Sequence, residues 1–145
     1  MEKKEISMQL YTTRHFQPYD PILKFLSNSG IANIELFGLE SMNIDKFKSI
    51  MDQSNITSKS THVSYESLSD PRDIINRAKK MNIKHVIVPA PPARKDAEFK
   101  NTFDMNEEEW IDFGKKLSSY VTLFEDAGLT LGYHNHSYEF KPLPS

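Results

Sequence analysis

At 145 residues, 38% hydrophobic and 26% charged, the chain has the size and composition of one globular domain able to bury a core, and it contains no apolar run near the ~20 residues that span a bilayer. With five histidines and no cysteine, disulfide frameworks and thiolate metal sites are excluded, so a bound metal would have to take His, Asp or Glu. A net charge of −2 and a pI near 6.2 argue against a general nucleic-acid binder; no nucleic-acid or membrane partner is expected, and the cytoplasm is the expected location.

Residues 6–11 alternate Ile6, Met8 and Leu10 with Ser7, Gln9 and Tyr11, the period of a strand with two different faces. Asp20 and Pro21 then read as an N-cap and a first helical position, with Ile22, Leu23, Phe25 and Leu26 as the apolar side and Gly30 as the stop. A second strand is expected over 33–39, with Ile34 and Leu36 on one face and Glu35 and Phe37 on the other. Ile44, Phe47, Ile50 and Met51 recur at helical spacing within 43–55, and a more polar strand carrying His62 follows over 57–65. Asp70 and Pro71 repeat the helix start, and Ile74, Ile75, Ala78 and Met81 form the stripe of a helix ending at Asn82.

The chain continues with a short apolar strand over 86–88 and a long loop over 90–105, rich in proline and charge. Asn106 then opens the clearest helix, with Glu109 closing a capping box and Trp110, Phe113, Leu117, Val121 and Phe124 as its apolar side as far as Gly128. A last strand is expected over 129–136. Gly30, Asn55, Asn82 and Gly128 each place a residue tolerant of left-handed backbone before an aliphatic one, as a helix C-cap requires. The chain is therefore strand and helix repeated four times plus a fifth strand, which predicts an α/β fold with a parallel sheet.

A nucleotide-binding doubly wound sheet should show a glycine-rich turn after its first strand, and residues 12–18 contain no glycine. The alternative is a (β/α)8 TIM barrel. Ile6, Met8, Leu10, Ile34, Leu36, Leu129, Leu131 and Tyr133 suit its helix side, and Gln9, Tyr11, Glu35, His62, His134 and His136 its inner side. Polar groups at the last inner positions would mark the C-terminal mouth, where barrels keep their chemistry, while His85, at a strand start, reads as structural. A complete barrel takes about 250 residues. Residues 1–145, with five strands and four helices, are expected to be the N-terminal part of a single barrel domain.

The densest chemistry lies in 131–140. In a strand the imidazoles of His134 and His136 face one space, followed by a carboxylate, Glu139. Together with Gln9-Leu-Tyr-Thr-Thr-Arg14, Gly30-Ile-Ala-Asn-Ile-Glu-Leu36 and Thr61-His-Val-Ser-Tyr65, the block Gly132-Tyr-His-Asn-His-Ser-Tyr-Glu-Phe140 resembles the xylose isomerase-like TIM barrels of the sugar phosphate isomerase/epimerase family. The resemblance runs in order along nearly the whole chain, and the Tyr-His-Asn-His block is its most specific part.

The resemblance implies a divalent metal (Mn, Mg, Zn or Co) at the barrel mouth, bound from strands five to eight, so that this chain carries an incomplete site. His134 stands where many relatives have Glu, and it is the expected metal ligand; Ser137 stands where the subgroup usually has Asp. Glu139 and His136 are the expected catalytic residues, and Gln9, Glu35, His62 and Asn135 the expected substrate contacts. Glu35 has a second reading, as a hydrogen-bond partner inside the barrel. Arg94 and Lys95 could approach a substrate phosphate from the long loop, with the solvated reading preferred. The implied activity is metal-assisted proton transfer next to the carbonyl of a sugar or sugar phosphate. A keto-sugar or inositol dehydratase or lyase would need nearly the same residues. The rivals are an endonuclease IV-like DNA repair enzyme, disfavoured by the acidic balance, and a chain inactive by itself. Unpaired first and fifth strands would favour association, including a homo-oligomer.

Overall fold

The computed structural model describes residues 6–92 and 105–142. The four helix ends marked in the sequence by Gly or Asn all close in the left-handed conformation, with φ of 80° at Gly30, 52° at Asn55, 57° at Asn82 and 76° at Gly128. After each, the N–H of Ile31, Ile56, Ile83 or Leu129 returns to the carbonyl of Leu26, Met51, Ala78 or Phe124 at 2.9 or 3.0 Å. These are Schellman closures, in which the residue after the cap also packs on the last helical turn. Each one turns the chain back so that a strand begins within three residues.

Among the described residues the sheet has five strands: β1 (Ser7–Gln9), β2 (Asn33–Phe37), β3 (Thr57–His62), β4 (His85–Val88) and β5 (Thr130–Tyr133). They lie in sequence order, and every neighbouring pair is parallel. Between them run α1 (Asp20–Asn28), α2 (Ile44–Gln53), α3 (Pro71–Lys80) and then α4 (Glu107–Ser118) with α5 (Val121–Asp126). The helices cover one face of the sheet. Ile34, Leu36, Val86 and Val88 pack there with Leu23 and Leu26 of α1, Phe47 and Met51 of α2, Ile74 and Ala78 of α3 and Phe124 of α5. This is the arrangement of successive β/α units of a barrel.

Several boundaries differ from the sequence reading. Residues 10–13 form a 3-10 turn, so Tyr11 lies beyond the first strand; Leu10 is buried by that turn, while Ile6 stays 40% exposed and joins no core. The strands expected to end at 39, 65 and 136 stop at Phe37, His62 and Tyr133. Asp20 does not cap α1: it is the first helical residue, Tyr19 precedes it, and no side chain caps that end. Its twin does, since Asp70 accepts the Asp73 N–H at 3.2 Å.

The helix expected to run from Asn106 to Gly128 breaks in two. Its capping box is present in both directions, with Asn106 Oδ1 accepting the Glu109 N–H at 3.0 Å and the Glu109 carboxylate accepting the Asn106 N–H at 2.8 Å. The break falls at Ser119 and Tyr120. There the Ser119 hydroxyl donates to the Lys116 carbonyl at 2.7 Å and the Tyr120 N–H reaches only three residues back, to Leu117. A serine bonded to its own backbone tightens the turn in this way. Most of the loop over 90–105, including Arg94 and Lys95, lies outside the described residues.

Candidate functional site at the C-terminal ends of the strands

Register places side chains in levels on the face opposite the helices. Gln9, Glu35, Ser60, His85 and Thr130 pair across the sheet at one level, and Phe37, His62, Ile87 and Gly132 at the next, nearer the C-terminal ends. Aliphatic layers are the rule inside such barrels, so a level of Gln, Glu, Ser, His and Thr is unusual. A β-bulge adds Ser60 to it. Ile34 pairs with Ser58 but Glu35 pairs with Ser60, which leaves Lys59 as an extra residue and switches the strand's faces. Before the bulge Ser58 is buried on the helix side, its hydroxyl donating to the Ile34 and Ser60 carbonyls at 2.7 and 2.8 Å. After it Ser60 and His62 turn inward.

The switch assembles a closed network around Glu35. Its Oε1 accepts the Gln9 amide at 3.0 Å and lies 3.2 Å from His62 Nε2, while its Oε2 accepts the Ser60 hydroxyl at 2.8 Å. The hydrogen bond from His62, joined by those from Gln9 and Ser60, outweighs burial and holds the Glu35 carboxyl at about 2, against an ordinary 4.5. Glu35 is therefore a carboxylate at any physiological pH, and it orients the buried His62 ring through Nε2. Among the described residues, no hydrogen bond engages the other ring nitrogen.

His62 meets the end of β5. Its ring stands edge-on to His134 with centroids 5.0 Å apart, and His134 in turn lies 4.8 Å from His136. Burial pushes the His134 imidazole below its ordinary 6.5, and the His62 and His136 rings push the same way. His136 stacks on Tyr138 at 5.2 Å. Gln9, Glu35, His62, His134 and His136, read from sequence as one inner group, are thus contiguous.

Glu139 stands apart from that group in its bonding. It accepts the Tyr133 hydroxyl and the His136 main-chain N–H, both at 2.6 Å, and so closes the 3-10 turn Ser137–Phe140. Burial first, and the hydrogen bond to Glu139 next, raise the Tyr133 phenol far above its ordinary 10, so it remains a donor. Asn135 is exposed and, with His134, borders a concavity over β4 and β5. Ser60, a partner of Glu35, was not singled out in the sequence; only the bulge brings it inward. His85, read as structural, bonds through Nδ1 to Thr130 Oγ1 at 2.8 Å, yet it faces inward and lines the same concavity.

Among the described residues, no group of three or more His, Asp or Glu side chains is arranged to hold a metal ion. His134 is at most one ligand of a larger set, and the described donors do not by themselves fit a divalent ion. No described helix is long and apolar enough to cross a membrane.

No protein-family model matches the chain, and no curated protein does. Solved structures do. A sugar phosphate isomerase/epimerase from Parabacteroides distasonis superposes with a TM-score of 0.70 at 18% identity, over 98% of this chain and 58% of that one. An AP endonuclease, family 2, from Brucella melitensis gives 0.61 at 11% identity, over 88% and 53%. The IOLI protein with a bound zinc atom gives 0.58 at 15% identity, over 88% and 50%. The chain thus spans between half and three-fifths of the length of each.

Proposed function

We propose that this chain, whose fold is that of the xylose isomerase-like TIM barrels, serves proton transfer next to the carbonyl of a sugar or polyol derivative, as an isomerase or epimerase. The observation that carries the reading is the pair of Glu35 and His62 at the strand ends, an ionised carboxylate 3.2 Å from a buried imidazole. A base for carbon acids needs a ring held in one orientation, and Glu35 holds His62 through Nε2.

In this reading the free nitrogen of His62 takes the proton from the carbon beside the carbonyl. The C–H electron pair moves into a new carbon–carbon double bond, and negative charge develops on the carbonyl oxygen. For isomerisation the hydroxyl proton passes between the two enediolate oxygens and the same nitrogen returns its proton to the former carbonyl carbon. Return to the original carbon on the same face gives exchange alone, and epimerisation needs a proton donor on the opposite face. Glu35 acts as a positioning residue and faces the imidazolium while it exists. Gln9 and Asn135 offer amides to substrate hydroxyls. Glu139 and His136 move from the catalytic roles first expected of them to support of the β5 end, because both oxygens of Glu139 are already engaged. His134 is the candidate ligand that this chain offers to a divalent ion, and no step here runs through one.

The test is deuterium exchange. The protein is incubated in D2O with aldoses, ketoses and their phosphates, with Mn, Mg, Zn or Co added in turn, and proton NMR follows the carbon next to the carbonyl. Exchange should fall ~100-fold or more in His62→Asn and by a smaller factor in Glu35→Gln. A duplex carrying an abasic site is the control: its cleavage, with no exchange in any sugar, overturns the proposal in favour of DNA repair.

A further inference from the structure

The ladder between β2 and β3 is carried past the last strand residues by a side chain. In a parallel ladder a residue bonds the two neighbours of its partner, donating to the one before and accepting from the one after. Phe37 is the partner of His62, and the Gly38 N–H accordingly reaches the His62 carbonyl at 3.0 Å. The next bond would run from the Ser64 N–H to the Gly38 carbonyl. Gly38 is left-handed, at φ 67° and ψ 34°, and its carbonyl is turned into the 3-10 turn Leu39–Ser41, where it accepts the Ser41 N–H and hydroxyl, each at 3.1 Å. Glu40 takes its place: Oε1 accepts the Ser64 N–H at 3.0 Å.

That bond lies two residues beyond His62, and it completes a clamp on residues 62–64. The His62 carbonyl is held by Gly38, the Val63 N–H by the Ile87 carbonyl of β4 at 2.9 Å, and the Ser64 N–H by Glu40. The turn that carries Glu40 is itself tied to α3, where Arg77 donates to the Met42 and Leu39 carbonyls at 3.0 and 3.4 Å. Glu40 Oε2 is buried and meets no donor among the described residues, so the side chain acts through its Oε1 bond. Enclosing that second oxygen costs stability, which points to placement of the β3 end, rather than strength of the fold, as what Glu40 provides. We propose that Glu40 is a positioning residue for His62: by standing in for the Gly38 carbonyl it keeps the main chain from His62 to Ser64 in register with β2, so that the ring meets Glu35 at a fixed angle. The proposal rests on the reading of His62 as the base and adds the group that sets where that base stands.

NMR of the full chain and of its Glu40→Ala and Glu40→Gln variants follows the Ser64 amide and the His62 ring, thermal melts follow folding, and the deuterium-exchange assay above gives kcat and KM. In the parent the Ser64 amide should exchange with solvent ~10-fold or more slowly than an unbonded loop amide. Glu40→Ala should abolish that protection, move the His62 ring signals and lower kcat about tenfold while KM stays within about twofold, since small displacements of a catalytic group are costly. Glu40→Gln keeps an oxygen acceptor for the Ser64 N–H and should restore the protection, the ring signals and kcat. An unprotected Ser64 amide in the parent overturns the proposal whether or not the variants fold. So do His62 signals that stay in place in Glu40→Ala, or that move equally in Glu40→Gln. If no sugar undergoes exchange in the parent, the carbonyl reading falls, and the hold of Glu40 on the His62 ring stands or falls on the NMR signals alone.

Discussion

Glu35→Gln removes one negative charge from the centre of the site while keeping the shape of the side chain. A carboxyl held at about 2 in the folded chain, against 4.5 in the unfolded one, stabilises the fold by about 3 kcal/mol at neutral pH, at about 1.4 kcal/mol per pH unit. The side chain is only 20% exposed, so solvent screening leaves most of this in place. Because the folded value is depressed, the contribution is complete above pH 4.5 and is lost as pH falls toward 2; at pH 3 about 1.4 kcal/mol remains. Urea unfolding of the parent and Glu35→Gln at pH 7, 5 and 3 should show a gap of about 3 kcal/mol that holds to pH 5 and at pH 3 has roughly halved. A gap that does not change with pH, or one below ~0.5 kcal/mol at pH 7, would mean that His62, Gln9 and Ser60 do not hold an ionised carboxylate, and the reasoning would fail.

Deleting Lys59 should bring β3 to strict alternation with Ser58 still toward the helices and Ser60 and His62 still inward, because Ser60 then follows Ser58 directly, at a cost of ~1–3 kcal/mol, whereas Lys59→Ala, at an exposed position, should stay within ~0.5 kcal/mol. Thermal melts check both, and a deletion that unfolds the chain would contradict this account of the bulge. Gly128→Val should lose about 1 kcal/mol or more from backbone strain alone, because φ is 76° and no atom lies near the new Cβ; a neutral melt would contradict it. Tyr133→Phe should cost about 1.5 kcal/mol by taking a 2.6 Å hydrogen bond from the Glu139 carboxylate, and it should shift the His136 ring resonances in the NMR spectrum. Unmoved His136 resonances would leave Glu139 without its supporting role.

The fold was legible because its punctuation is local. A left-handed C-cap needs a residue that tolerates positive φ and an aliphatic one after it, and Gly30-Ile31, Asn55-Ile56, Asn82-Ile83 and Gly128-Leu129 show both in the sequence itself. With four such ends in phase with four apolar stripes, the parallel order follows. Helix starts were less secure. Asp20-Pro21 and Asp70-Pro71 are the same dipeptide, yet only Asp70 caps its helix, while in α1 Tyr19 takes the cap position and Asp20 is the first helical residue. The ends of the first, second, third and fifth strands were read too long, since alternation continues in sequence after the pairing partner has stopped, while the fourth ends at Val88 as expected.

The grouping of Gln9, Glu35, His62, His134 and His136 was legible in the sequence, and the joinery that brings them together was not. His62 was placed on the inner face, but counting by twos from the buried Ser58 would put it among the helices; the bulge at Lys59, which no residue type announces, makes the placement right. The same holds for the pair of histidines on β5. In a continuing strand, residues two apart advance by about 6.6 Å, so their rings lie no closer than that without bending toward each other. His134 and His136 are 4.8 Å apart. The strand has already ended at Tyr133; His134 keeps a last ladder bond from its N–H to the Val88 carbonyl at 3.0 Å, and the chain then turns. What holds the turn is the carboxylate first assigned to proton transfer, since Glu139 ties the His136 N–H to the Tyr133 hydroxyl through its two oxygens. In the proposed mechanism the acid that positions the base is Glu35 on β2, behind His62, and the acid on the β5 turn brings the second and third imidazoles to the same place.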